Sequence, residues 1–334
     1  MANPILVEVT RGQAVESRHR GAVAVVDDAG RVVFSAGDVE AKTFPRSAIK
    51  VFQAIPLVES GAADAYGFSA RALSLACASH SGEPGHVALA AEMLGRAGLS
   101  GEALECGCHW PFDQPVALAL AAEGGGPTAL HNNCSGKHAG FLCTAVHLGE
   151  ETRGYVDAVH PVQSRVREAM EDLTGTALEP DACGIDGCSI PTYAAPLRAF
   201  AHGFAKIVSA QGVSAERSAA GRRLIEASMT EPWFMAGTDR ACVALMEAAP
   251  GRVFAKTGAE GVFCGAVPEL GLGFALKIDD GATRASEALV AATIARIFEA
   301  GDKGATERFE ALSRKILRNW EKTVVGEVRV VWAS

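Results

Sequence analysis

Several short stretches of this chain gather side chains that could do acyl-transfer or metal chemistry. In RSAIK, Ser47 stands three residues before Lys50. On a helix, that spacing puts both on one face. A serine hydroxyl becomes a nucleophile when a base takes its proton, and a neutral lysine can be that base. The same five residues, following Pro45, also read as an ordinary helix start, and a Ser-x-x-Lys spacing arises by chance roughly once in a chain this long. CASHSGEPGH offers Ser79, His80, Ser81 and His86, with either serine also suited to capping the next helix. CGCHW holds Cys106, Cys108 and His109, zinc-type residues without the usual gap between cysteines, and packed core thiols beside a surface histidine are the favoured reading. HNNCSGKHAGF brings Asn133, Cys134, Lys137 and His138 together, and GIDGCSIPT carries Asp186 and Cys188 between glycines. Lys256 sits in VFAKTGAEGVF, at the end of an apolar run and before a glycine turn.

The lysines are informative because they are few. Of 31 basic residues only nine are lysines, and three of those fall in the stretches above. Arginine keeps its proton near neutral pH, whereas lysine can lose one when its surroundings lower its pKa. An ordinary lysine is neutral only about 0.04% of the time at pH 7, and bringing its pKa to 7 takes roughly 4–5 kcal/mol. Burial and a second ammonium nearby both push in that direction.

The chain has 334 residues, 49% of them hydrophobic, enough for a large core in one or two domains. Its net charge of −8 argues against nucleic acid or acidic membranes as the main partner. MANPILVEVTRG lacks the basic start and long apolar run of a signal peptide, and no stretch is long and apolar enough to span a bilayer. A soluble, cytoplasmic protein is expected. Nine cysteines in such a compartment read as core thiols, metal ligands or reactive groups rather than a disulfide framework. No glycine-rich phosphate loop follows a strand, so a nucleotide cofactor has no support. Gly124-Gly125-Gly126-Pro127 reads as a loop.

The elements that must position these side chains fall into two regions. ILVEVT and GAVAVVDDAGRVVFSAGD predict a strand followed by a hairpin turning at Asp27-Asp28-Ala29-Gly30. From about 47 to 249 the pattern is mainly helical. HPVQSRVREAMEDLTG places Val162, Val166, Met170 and Leu173 on one face and stops at Gly175, and TDRACVALMEAAPG predicts a helix capped by Thr238. Strands return with RVFAK, GVFCGAV and GLGFALKI, then a helix at about 284–299 and a final strand in GEVRVVWAS. The expectation is an α+β fold in which both termini build one antiparallel sheet (about 1–46 and 250–334). A helical block (about 47–249) is inserted between them, the whole forming one domain over 1–334.

Taken together, RSAIK, CASHS, NNCSGKH, DGC and KTGAEGVF resemble the rhizobial-type L-asparaginases, the class 3 or asparaginase II family. The stretches occur in the family's order over about 43–265, and NNCSGKH followed by DGC is the specific part. CGCHW departs from the plainer pattern of the relatives by an extra cysteine and an aromatic. Neither the two-threonine asparaginases nor the self-cleaving kind has a recognisable signature here. The resemblance implies a fold related to serine β-lactamases and glutaminases, and hydrolysis of L-asparagine to L-aspartate and ammonia. It implies two Ser–Lys pairs, Ser47 with Lys50 and Ser79 with Lys256, and substrate contacts from Arg46, Asn133, His138 and Asp186. It also implies a zinc ion held by Cys134, Lys137 and Cys188, and a homodimer. Within that resemblance Ser47 is the favoured nucleophile, because Lys50 is one helical turn away.

Two other readings remain open on the residues. Ser-x-x-Lys with Lys256-Thr257-Gly258 also suits a β-lactamase or transpeptidase-like acyl-enzyme, although no Ser-Asp-Asn element occurs. A non-enzymatic protein could use Cys134, Cys188 and His138 to hold a structural zinc.

Overall fold

The computed structural model describes residues 2–332. The two β-branched runs form the expected hairpin, β2 (Ala14–Val26) with β3 (Val32–Ala36), Val25 facing Phe34. β1 (Ile5–Arg11) pairs with the first half of β2. Two small ribbons lie within or beside the helical region. One pairs β4 (Lys42–Thr43) with β7 (Ala195–Pro196); the other, β5 (Cys183–Ile185) with β6 (Pro191–Tyr193), carries the Asp186–Cys188 turn. The C-terminal part adds β8 (Phe254–Gly258), β9 (Val262–Val267), β10 (Leu272–Ile278), β11 (Lys315–Arg318) and β12 (Val324–Val330).

The main sheet runs β11-β12-β1-β2-β10-β9-β8, with β3 beside β2 and every neighbour antiparallel. First and last strands are therefore neighbours, Val7 opposite Val330, and the α+β arrangement of strands from both termini around a helical block is present. All six residues of β9 are buried, as an inner strand covered on both faces requires. The helix Leu197–Ser209 packs on β2, β9 and β10, and the helix Thr283–Phe298 packs on β1, β9, β10 and β12.

Most local expectations hold. The helix Pro161–Thr174 buries Val162, Val166, Met170 and Leu173, and Gly175 ends it at φ +63°. The TDRACVALMEAAPG helix differs at its start. It spans Ala241–Ala248 with Arg240 at the cap position, while Thr238 spends its hydroxyl on Glu83, whose carboxylate also accepts the Thr238 N–H. Neither Ser79 nor Ser81 caps a helix; Glu83 precedes the helix Pro84–Arg96. The pattern gave no warning of the helix Lys303–Ser313 or of β11. Among the described residues no helix is long and apolar enough to cross a membrane.

Two glycines decide how closely the candidate stretches approach one another. A Cβ on Gly136 would lie 2.4 Å from the Leu75 carbonyl, so only glycine lets the helix Ser135–His147 lie against the end of the helix Ala70–Ala76. A Cβ on Gly258 would meet the Pro45 carbonyl at 2.6 Å, where β8 passes the short 3-10 helix Arg46–Ile49. Backbone cannot yield as a flexible side chain can. Gly136→Ala is expected to cost about 1–3 kcal/mol in urea unfolding, and an unchanged midpoint would mean the two helices can separate freely.

Candidate active site

Three of the nine lysines are buried at one place. Lys50, Lys137 and Lys256 are each at most 2% exposed, an arrangement that needs compensation because burying an unpaired charge is costly. Lys50 begins the helix Lys50–Glu59, Lys137 lies in the first turn of Ser135–His147, and Lys256 is at the centre of β8. The amines of Lys50 and Lys256 converge on the loop after the helix Ala70–Ala76. That loop is pinned where Ser79 N–H donates to Met235 O and His80 N–H donates to Asn133 O.

Ser79, not Ser47, sits at the centre. Its Oγ lies 3.0 Å from Lys50 Nζ and 2.9 Å from Lys256 Nζ. Lys50 also donates to the Ala78 carbonyl and to Cys134 Sγ at 3.1 Å, so its three partners match the three donors of an ammonium. It makes no hydrogen bond with Ser47, which stays half-buried on the 3-10 helix. The i,i+3 spacing does align the two residues, but Lys50 extends inward to partners brought by other elements. Lys256 has one further partner, the Thr257 carbonyl at 2.7 Å. A neutral amine has two N–H groups and one lone pair. Lys256 can therefore donate to Thr257 O and accept the Ser79 O–H, while Ser79 Oγ accepts from Lys50. Burial brings the Lys256 amine down to about 7, with the nearby Lys50 and Arg240 charges adding to it and Cys242 opposing.

The network continues through sulfur. Cys188 hydrogen-bonds to Cys134, and that bond, with the Lys50 and Lys137 charges, holds the buried Cys134 thiol well below its ordinary range despite desolvation. Cys188 is correspondingly pushed up, since it shares its proton with a neighbour that already carries charge. Lys137 Nζ donates to Cys188 Sγ at 3.1 Å. Burial alone would lower the Lys137 pKa, yet the two sulfurs and Asp186 raise it. Cys134, Lys137 and Cys188 are thus brought together. Among the described residues no group of three His, Cys, Asp or Glu side chains forms a metal site, so this set reaches three donors only by counting Lys137.

At the rim, Arg46 Nε and Nη2 both reach Asp186 Oδ1 at 2.8 Å, and Gly187 N–H donates to the same oxygen at 2.7 Å. Burial opposes ionisation of Asp186, but Lys137, Arg46 and that amide together keep its carboxyl below the usual range. Arg46 adopts φ +51° and Ser189, just after Cys188, φ +74°. Left-handed backbone at non-glycine residues on both sides of one site is strain held by the surrounding structure. A cavity of about 610 Å³ has Arg46 in its wall, with Phe44, Ile185, Glu260 and Lys277.

The remaining expected residues take supporting places. Asn133 N–H donates to His109 Nε2 at 2.9 Å, holding CGCHW beside the cluster. His138 is fully buried against Phe141 and Tyr155. Tyr155 accepts from Glu105 N–H and donates to His138 Nδ1, which leaves His138 Nε2 without a partner among the described residues. Burial, with Lys137 and Lys50, keeps that ring neutral. In CGCHW only Cys106 is buried; Cys108 is exposed, so these are not two packed core thiols. Three contributors lie outside the residues that the resemblance assigns. Asn132 accepts from Cys134 N–H and donates to the Cys106 carbonyl, tying the two loops together. His80 accepts from Gly82 N–H and so donates Nε2–H to Ser135. Arg240, far along the chain, approaches Ser81 Oγ at 3.4 Å. Asn132 and His80 were at least adjacent to expected residues; nothing local pointed to Arg240.

A family model described as L-asparaginase II matches residues 7–330, nearly the whole chain. The chain belongs to the L-asparaginase II family. It is accordingly an asparaginase-type amidohydrolase with a small-molecule amide substrate. Among solved structures, a β-lactamase from Mycobacterium bovis is similar at 14% identity and a TM-score of 0.42, over 88% of this chain and 92% of its own. The structure of Mglu is similar at 15% identity and a TM-score of 0.44, over 84% of this chain and 67% of its own. At these scores neither likeness carries an argument about activity. No curated protein matches the chain.

The titration of Lys256 is directly measurable. With a value of about 7, its amine is mostly charged at pH 6 and mostly neutral at pH 8. Lysine-selective NMR should show that midpoint in the wild type and lose it in Lys256→Met. A midpoint in the ordinary lysine range would remove Lys256 as a base at neutral pH.

Proposed function

We propose that this protein hydrolyses the side-chain amide of L-asparagine to L-aspartate and ammonia through an acyl-enzyme on Ser79. The observation that carries this reading is the placement of Ser79 Oγ between the amines of Lys50 and Lys256. In the first half-reaction Ser79 Oγ attacks the amide carbon as Lys256 accepts the hydroxyl proton. The tetrahedral intermediate collapses when Lys256 returns that proton to the leaving nitrogen, releasing ammonia and leaving an ester. In the second half, water attacks the ester, Lys256 takes a proton from it, and Ser79 recovers its proton as aspartate leaves. Lys50 donates to Oγ, where it stabilises the alkoxide as it forms. Ser47 is the rival nucleophile on sequence spacing, and in this proposal it borders the substrate instead.

Selectivity for an α-amino acid fits the rim. Asp186 offers a carboxylate for the substrate ammonium and Arg46 a guanidinium for its carboxylate, so a zwitterion can replace their mutual ion pair. The cavity beside Arg46 is the entry route in this reading. Asn133 acts through His109 and His138 through Tyr155, as positioning residues rather than direct contacts.

The zinc that the resemblance implies fits the side chains present. Two buried sulfurs, one of them ionised, and an amine are suitable donors for that ion, and a bound cation would take over the charge balance that Lys137 now provides. Cys134, Lys137 and Cys188 would hold it. When bound, zinc supplies a Lewis acid beside the substrate. The homodimer belongs to the same proposal and rests on the resemblance alone.

Ammonia release from L-asparagine should fall at least about a thousandfold in Ser79→Ala and in Lys256→Met. In Ser47→Ala it should fall far less. A dead Ser47→Ala with an active Ser79→Ala would reverse the assignment of nucleophile, and no ammonia from the wild type would reject the reading. The rate should climb with pH through about 7 and level off above it, as Lys256 becomes neutral. Metal analysis of Cys188→Ser should show less zinc than the wild type; equal content would move the ion elsewhere.

A further inference from the structure

A second cavity, of about 390 Å³, lies between the helices Ala241–Ala248 and Thr283–Phe298 and is bordered by Leu312 and Lys315. Its small apolar wall comes from Ala241, Ala244, Ala288 and Ala291. Around it stand three cations, Arg240, Arg284 and Lys315, and three carboxylates, Asp239, Glu247 and Glu287. None of the six pairs with an opposite charge within 4 Å among the described residues, although arginines elsewhere do so readily, Arg217 and Arg252 with two carboxylates each. Arg240 and Glu287 are the half-buried members, facing the cavity with opposite charge. Arg240 has Ser81 Oγ as its side-chain partner, at 3.4 Å; Glu287 has none among the described residues.

We propose that this cavity is a second binding site, for a free α-amino acid with a short side chain. The ligand carboxylate pairs with Arg240 and Lys315, and its ammonium with Glu287. A simple anion satisfies only half of this lining and leaves the Glu287 carboxylate half-buried and unpaired. A zwitterion satisfies both sides, and the row of alanines limits the length of its side chain.

The test uses the full-length protein and L-alanine, which has no side-chain amide, with acetate as the anion control. Calorimetry at pH 7.5 should show L-alanine binding to Asp186→Asn, which lacks the rim carboxylate, with binding lost when Glu287→Gln or Lys315→Met is added to it. In the wild-type background both cavity variants should keep basal asparagine hydrolysis. Binding that survives in both double variants, or is absent from Asp186→Asn, would overturn the site. Acetate binding as well as L-alanine would overturn the zwitterion. If binding follows Glu287 but no asparagine is hydrolysed at any pH, the proposed activity fails and the cavity assignment stands.

Discussion

The constraint on which this site depends is the burial of three amines in one small volume. Removing an ammonium from water is unfavourable, and three together repel one another. The protein meets that cost in different ways at the three positions. Lys50 is matched to three acceptors, and Lys137 sits against two sulfurs and near a carboxylate. Lys256 is given a hydroxyl and one carbonyl, too little to hold its proton strongly. Unequal solvation sets chemically identical side chains apart here, and the proposed use of Lys256 as a base rests on that difference.

That inequality requires four distant parts of the chain to meet within hydrogen-bonding distance. The sheet supplies Lys256 from an edge strand, and the helical block supplies Lys50, Ser79, Cys134 and Lys137. The contacts between them are made through backbone at positions where a methyl group would not fit, Gly136 and Gly258. These glycines explain part of the SGK and KTG spelling in steric terms, since each allows the following or preceding lysine to approach its partners.

Much of this arrangement is legible in the sequence because the signals are local. β-Branched runs marked the hairpin and alternation the closing strand, helical spacing marked Val162 through Leu173, and the lysine-bearing stretches contained the three amines buried at the site. Partner choice was not local. Ser47 and Lys50 have the right spacing to meet, but Lys50 is long enough to reach acceptors from two other elements, and a spacing rule cannot register them. Thr238 has the composition of a helix cap and is occupied by Glu83, 155 residues away in sequence. The charges facing one another across the cavity beside Arg240 come from separate helices, so no window of sequence contains them together.

Arg46 illustrates a conflict between endurance and usefulness. Its left-handed backbone costs of order 1 kcal/mol that glycine would not incur, so by conformational preference alone the chain would be sturdier without the arginine. The side chain that makes the position awkward is also the one that grips Asp186 across the mouth of the site. Selection for a hardier fold and selection for a competent one therefore pull this single codon in opposite directions, and a screen for heat resistance would tend to erode the enzyme at its entrance first.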